Sequence, residues 1–65
     1  MKFKIGQTVY FKSDLFPYIG TQKVIIIDVP DNNYPYYGIE FLNIRINKIH
    51  KSMAAKENEL FSEYP

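Results

Sequence analysis

The pattern of apolar and polar positions and the β-branched residues predict two strands in the first half of the chain. Ile5, Val9 and Phe11 all fall at odd-numbered positions and so would point to one face of a strand, a shared parity that predicts a half-buried strand over residues 7–12. Residues 23–29, with the sequence KVIIIDV, are β-branched almost throughout. Branched side chains disfavour helix and fit a pleated surface, so this segment predicts the second strand. Its unbroken apolar run indicates burial on both faces or a change of face at a bulge.

A third strand follows a polar turn. The sequence PDNN at residues 30–33 ends the second strand, because proline cannot donate to a ladder and Asx residues favour turns. From residue 36 to 42 the parity resumes, with Tyr37, Ile39 and Phe41 on one side of the predicted strand. The loop over residues 13–20, SDLFPYIG, is rich in turn formers and in aromatic rings.

The last third of the chain permits two interpretations. The parity breaks after Leu42, which requires a bulge or turn at about Asn43, with Asn47-Lys48 as a hairpin tip. A strand would then run from His50 to Ala55, with a helical turn over residues 56–60 behind it.

The other interpretation is a helix over residues 48–62. Residues 52–60, SMAAKENEL, are good helix formers, and Asn47 is available as a cap. Apolar residues also recur at helical spacing, namely Leu42, Ile46, Ile49, Met53 and Leu60. Local sequence leaves both interpretations open.

Length and composition limit the classes of protein that the chain can belong to. Its 65 residues allow a single domain over residues 1–65, near the lower limit for an unaided hydrophobic core. The chain contains no cysteine, which excludes disulfides and thiolate metal sites. The longest aliphatic run, Val24–Ile27, is far too short to span a membrane. We therefore expect a cytoplasmic protein without a membrane partner.

The order of features along the chain resembles that of small SH3-like barrels of bacteriophage and low-GC bacterial proteins, and more distantly that of KOW modules. These barrels show a glycine-led first strand, a glycine before a Val/Ile-rich strand, a Tyr-x-Ile-x-Phe strand and an acidic closing turn. The matching positions are Gly6, Val9, Gly20, Val24, Tyr37, Ile39, Phe41, Glu57, Glu59 and Leu60. Lys23 occupies the position of a second glycine that KOW modules carry.

The resemblance implies an all-β fold, a five-stranded SH3-like barrel with a short 3-10 turn near Lys56–Leu60. It selects a strand over Ile49–Ala55 rather than a helix. Closing the barrel would remove exposed sheet edges. The core that this fold implies is Val9, Phe11, Val24, Ile26, Ile39, Phe41, Met53 and Leu60, with contributions from Ile5 and Ile27.

No residue pattern indicates catalysis, a metal or a cofactor. His50 is the only histidine, and one imidazole without convergent partners defines neither a metal site nor a triad. Glu57 and Glu59 are interpreted as solvated turn residues, because a carboxylate pair needs a substrate cleft. The three glycines do not have a phosphate-binding spacing.

The aromatic residues of two loops form the leading candidate site. Phe16 and Tyr18 lie in the first loop, and Tyr34 and Tyr36 in the second. In an SH3-like barrel these loops flank one groove, so the four rings would bind a protein partner. The competing interpretation is that some of them cover the small core. The leading hypothesis is a non-enzymatic interaction module, encoded by a phage or mobile element, that binds a host protein.

Two further hypotheses concern other surfaces. The net charge is only +1, but cations cluster in blocks, which would suit a KOW-like binder of RNA or DNA. Its candidate residues are Lys12, Lys23, Arg45, Lys48 and Lys51, with Lys2 and Lys4 at the start of the chain. Alternatively, exposed Ile44, Ile46 and Ile49 would pack against a second copy in a homodimer.

Overall fold

The computed structural model describes residues 2–65, which form one antiparallel five-stranded sheet and one short α-helix. The strands are β1 (Thr8–Phe11), β2 (Gln22–Asp28), β3 (Tyr37–Phe41), β4 (Ser52–Ala55) and β5 (Leu60–Phe61). Helix α1 (Ile44–Ile49) lies between β3 and β4, and a 3-10 turn (Glu57–Glu59) lies between β4 and β5. The strand order in the sheet is β4-β3-β2-β1-β5. The expectation of a mostly β fold is confirmed.

The register of the strands gathers the apolar residues on one face. Val9 is opposite Val24, and Ile26 is opposite Ile39. Because side chains alternate between faces with a period of two, residues at these positions point to the same side. The largest fully buried side chains are those of Val9, Phe11, Val24, Ile26, Tyr37, Ile39, Phe41 and Leu60. All except Tyr37 belong to the core that the resemblance implies.

Two predicted contributors to the core are wrong. Ile5 is 63% exposed, because it lies in the turn before β1 while Phe3, two residues earlier, enters the core. Ile27 is 42% exposed, because it is on the outward face where the register of β2 shifts between Ile26 and Asp28. Of the two alternatives for this strand, the shift agrees with a change of face at a bulge rather than with burial on both faces. Met53 is only half-buried against the core.

The segment between β3 and β4 corrects several predictions. Asn43 is neither a bulge nor a turn but the N-cap of α1, where its Oδ1 accepts hydrogen bonds from the N–H groups of Arg45 (3.0 Å) and Ile46 (3.3 Å). The predicted hairpin tip at Asn47-Lys48 lies inside α1. The predicted strand from Ile49 begins at Ser52 instead, and the helix predicted over residues 48–62 is replaced by β4 and the 3-10 turn.

A capped helix forms here despite three isoleucines because the competing energies are small. β-Branching disfavours a helix by only a few tenths of a kcal/mol per residue, whereas an Asn cap contributes about 1 kcal/mol. The side chain of Asn47 adds hydrogen bonds to the carbonyl oxygens of Phe41 (2.9 Å) and Lys51 (3.5 Å), which tie α1 to the ends of both flanking strands. No helix within residues 2–65 has the length and apolarity needed to cross a membrane.

Candidate functional site

An apolar groove lies between the β1–β2 loop and the start of β3. Phe16 from that loop and Tyr36, immediately before β3, line it together. The other lining residues are Leu15, Met53, Ala54, Lys56 and Glu59. Its volume of about 310 Å³ is at the lower end of the range for ligand pockets, so it suits one or two apolar side chains. We call it the aromatic groove.

The β1–β2 loop is wound into successive turns that fix the position of Phe16. The N–H of Phe16 donates to the carbonyl oxygen of Ser13 (3.2 Å), and the N–H of Ile19 donates to that of Phe16 (3.1 Å). Ile19 is buried in the core and holds the far end of the loop. Gly20 then reverses the chain with a φ of +70°, a conformation that glycine adopts without strain.

The β2–β3 loop is closed by one aspartate. Asp31 Oδ1 accepts hydrogen bonds from the N–H groups of Asn33 and Tyr34, both at 2.8 Å. The N–H of Asp31 also donates to the carbonyl oxygen of Tyr34 at 2.9 Å. The loop is therefore a compact Asx-type turn that delivers the chain to Tyr36 in one geometry.

The four aromatic candidates fall into two classes. Phe16 and Tyr36 are half-buried and line the aromatic groove, whereas Tyr18 and Tyr34 are 74% and 50% exposed and lie outside its lining. Each exposed ring packs edge-to-face on the groove ring of its own loop, with centroids 6.3 Å apart for Phe16 and Tyr18 and 5.3 Å apart for Tyr34 and Tyr36. The outer pair therefore supports the inner pair.

Sequence reasoning did not assign the other groove residues to this site. Met53 was predicted only as a core residue, and Glu59 only as a solvated turn residue. Glu59 is instead half-buried and its carboxylate is engaged, because Ser13 Oγ donates to Oε2 and the N–H of Lys56 donates to Oε1. Leu15, which also lines the groove, is 70% exposed.

A polar extension continues the aromatic groove. It shares Leu15, Lys56 and Glu59 with the groove and adds Lys12, Ser13, Asp14, Asn58 and Phe61. Its volume is about 460 Å³. Both oxygens of the Glu59 carboxylate bond within the chain, whereas the exposed Lys12 and Lys56 side chains border the extension. A segment lying in the groove would therefore meet an apolar end and a polar end bordered by Lys12, Asp14 and Lys56.

The cationic candidates share one end of the sheet. The N–H of Leu42 donates to the carbonyl oxygen of Lys23, so Lys23 lies at the same end of the sheet as α1 and the start of β4. Arg45, Lys48 and Lys51 occur in or beside α1, and all three are exposed. Lys12, which borders the polar extension, follows Phe11, and Phe11 is opposite Gln22 at the start of β2. The fold thus gathers all five cations at this end of the sheet.

The remaining titratable candidates have structural surroundings. His50 ends α1, and its backbone N–H donates to the carbonyl oxygen of Ile46 at 2.7 Å. Glu57 accepts a hydrogen bond from the hydroxyl of Tyr37 at 3.3 Å. Among residues 2–65 no group of three His, Cys, Asp or Glu side chains is arranged to hold a metal ion.

Comparison of the chain with family models, with curated proteins and with solved structures gives no match. The geometry described above is therefore the basis for assigning a function.

Proposed function

We propose that the chain is a small SH3-like barrel that acts as a non-enzymatic interaction module. The support for the fold is the strand order β4-β3-β2-β1-β5 together with a 3-10 turn, rather than a long loop, between β4 and β5. A twisted sheet of five short strands with a single buried face curls readily towards closure. In this arrangement the β1–β2 and β2–β3 loops flank one groove.

The observation that carries the proposed activity is that Phe16 and Tyr36, from two different loops, line the same aromatic groove. Half-buried rings held by an outer ring and by ordered loops lose little conformational freedom on binding, and such anchors are enriched in interaction hot spots. The occupant that fits is a segment of a partner protein carrying an apolar side chain. With few anchors, we expect an affinity in the micromolar range.

A peptide display experiment tests this activity. Random heptapeptides displayed on phage are selected on the immobilised chain, and the affinity of synthetic versions is measured by fluorescence anisotropy. We expect Phe16→Ala and Tyr36→Ala each to weaken binding by about tenfold or more. The matched control is Tyr64→Ala, because Tyr64 is 70% exposed and lies outside the groove. Equal effects of all three substitutions would contradict the assignment.

The resemblance to phage-encoded barrels leads us to place the chain in a phage or mobile element, with a host protein in the cytoplasm as the partner. A module of this size suits an accessory or inhibitory role. Affinity purification from host lysate, with the unaltered chain and its Phe16→Ala variant as parallel baits, tests this role. A specific partner must be recovered with the unaltered chain and lost with the variant.

A second candidate function is nucleic-acid binding at the cationic end of the sheet. It is favoured by Lys12, Lys23, Arg45, Lys48 and Lys51 sharing that end, and by the absence of an acidic residue from residues 41–56, which contain the last three. Binding through phosphates releases counterions, so affinity should fall steeply with salt. Anisotropy with single-stranded and duplex RNA and DNA over a salt series tests it, and the absence of binding at low salt would eliminate this function.

A further inference from the structure

Strand β4 is an edge of the sheet, and its free edge adjoins the aromatic groove. Within residues 2–65 it pairs with β3 alone. Met53 and Ala54 of β4 also line the groove. One wall of the groove is therefore formed by residues of the edge strand.

The ladder identifies which backbone groups face outward from β4. The N–H of Ile26 donates to the carbonyl oxygen of Gln7, so Ile26 bonds towards β1, and the alternate residue Ile25 bonds towards β3. Glu40, the β3 partner of Ile25, therefore bonds towards β2. Its neighbour Ile39 bonds to the other side, towards Met53 of β4.

The outward residues of β4 follow by alternation. Since Met53 and Ala55 bond to β3, the N–H and C=O groups of Ser52 and Ala54 project from the free edge. Both residues are exposed. The Asn47 side chain covers the carbonyl of Lys51, and the 3-10 turn begins at Glu57, so the uncovered stretch is β4 itself.

The charges beside this edge select the type of segment that fits. Lys51 precedes β4 and Lys56 follows it, and both are exposed. A second copy is disfavoured as the occupant, because antiparallel pairing of two β4 strands brings the Lys51 end of one towards the Lys56 end of the other. An acidic segment gains from the same lysines.

We propose that the partner segment binds as a sixth strand on β4. Its backbone pairs with Ser52 and Ala54, an apolar side chain enters the aromatic groove between Phe16 and Tyr36, and acidic residues lie beside Lys51 or Lys56. Main-chain hydrogen bonds supply affinity in this mode, and the groove supplies selectivity. The inference rests on the proposed interaction function and specifies how the same groove is used.

The test uses the heptapeptides selected on the immobilised chain as probes. Each is resynthesised with a single N-methyl group on one backbone amide at a time. A strand-adding peptide loses about tenfold or more in affinity when an alternate, pairing amide is methylated, and little at the intervening ones. The selected sequences should also contain Asp or Glu beside the apolar anchor.

A variant of the chain provides the matching measurement. Ala54→Pro removes the outward N–H of residue 54, a position where an edge strand tolerates proline. We expect it to weaken peptide binding by about tenfold, while the control Glu63→Pro, at an exposed residue outside β4 and outside the groove, changes it by less than about threefold. If Ala54→Pro fails to fold, the N-methyl series on the unaltered chain decides.

The possible outcomes distinguish a failure of strand addition from a failure of the proposed interaction function. Binding that depends on Phe16 and Tyr36 but tolerates N-methylation at every position would overturn strand addition and leave the interaction function standing. Failure to select any peptide that depends on Phe16 would overturn the interaction function itself. A dimer in sedimentation that Ala54→Pro dissociates would make a second copy the occupant and would overturn the proposed partner.

Discussion

The hydroxyl of Ser13 donates a hydrogen bond to the carboxylate of Glu59, and so joins the β1–β2 loop to the 3-10 turn across 46 positions of sequence. The N–H of Lys12 donates to the carbonyl oxygen of Glu59 at 3.0 Å, which is a second hydrogen bond between the same two segments. Ser13 is buried, at 5% exposure. One glutamate therefore holds the loop that carries Phe16 against the turn that forms the opposite wall of the groove.

Replacing Ser13 with alanine should lower the free energy of unfolding by about 1–3 kcal/mol. The half-buried Glu59 carboxylate loses a charge-assisted hydrogen bond, and bonds to charged groups are worth more than neutral ones. Urea denaturation measures the change. Ser62→Ala is the control, because Ser62 is exposed and its substitution should stay within about 0.5 kcal/mol. Equal stabilities of the two variants would show that the Ser13 bond contributes nothing.

Tyr37→Phe should destabilise the fold by about 1–3 kcal/mol. The hydroxyl of Tyr37 accepts hydrogen bonds from the N–H groups of Lys2 (3.2 Å) and Phe3 (3.3 Å), and the Phe3 bond is buried. Removing the oxygen leaves a buried donor unsatisfied. Thermal denaturation of Tyr37→Phe is compared with that of Tyr34→Phe, where the ring is half exposed and no loss is expected. An unchanged melting temperature for Tyr37→Phe would contradict the prediction.

Gly38 is required for space rather than for its backbone conformation. A Cβ at this position would lie 3.0 Å from the Cβ of Asp28 and 3.3 Å from Cγ1 of Ile27. Gly38→Ala should therefore cost roughly 1–3 kcal/mol, and Gly38→Val more, because overpacking grows with side-chain size. Gly6 has the opposite character, with a φ of +89° and nothing near its Cβ position, so Gly6→Asn should be milder than Gly6→Ala. Urea denaturation of the four variants measures both trends.

Loss of the N-cap of α1 should destabilise the helix without destabilising the sheet. Asn43→Ala removes the acceptor for two backbone N–H groups and should cost about 1 kcal/mol, whereas Asn43→Ser should retain most of the stability. Amide hydrogen exchange should show faster exchange in α1 for the alanine variant, with the strands unchanged. Increased exchange throughout the sheet would contradict a local role.

The exposed isoleucines of α1 should be dispensable for folding. Ile44 and Ile49 are 73% and 76% exposed, and α1 itself contains no buried residue. The double variant Ile44→Gln with Ile49→Gln should change the free energy of unfolding by less than about 1 kcal/mol. Ile46→Gln is the contrast, because Ile46 packs against the core and its replacement should destabilise the fold. Sedimentation of the double variant also tests the predicted homodimer.

Alternation of apolar and polar residues was sufficient to predict β1 and β3, because each buries one face and that burial imposes the period of two, whereas β2 was predicted from its β-branched residues. The same alternation gave wrong predictions after Phe41, where burial of one face no longer determines the backbone conformation. In α1 the decisive contacts are the Asn43 cap and the two carbonyls bonded by Asn47, and these are polar and local. The hydrophobic pattern does not reveal such contacts, and the β-branched residues of this segment argued against a helix.

The candidate site was predictable in part for the same reason. Phe16 and Tyr36 follow from loop composition and from the pairing of the loops across the fold. Glu59 and Ala54 did not, because their roles depend on which strand forms the edge and on a bond to Ser13 that is distant in sequence. Nothing in the sequence near Glu59 distinguishes an engaged carboxylate from a solvated one.

The separation of charge along the sheet has a consequence for how the molecule behaves near a charged solid surface. Lys23, Arg45, Lys48 and Lys51 lie at one end, whereas Asp28 and Glu57 lie where β2 ends and β3 begins. Around α1 a molecule with a formal charge of only +1 therefore presents a local excess of positive charge. It should bind a cation-exchange resin at neutral pH with α1 facing the matrix.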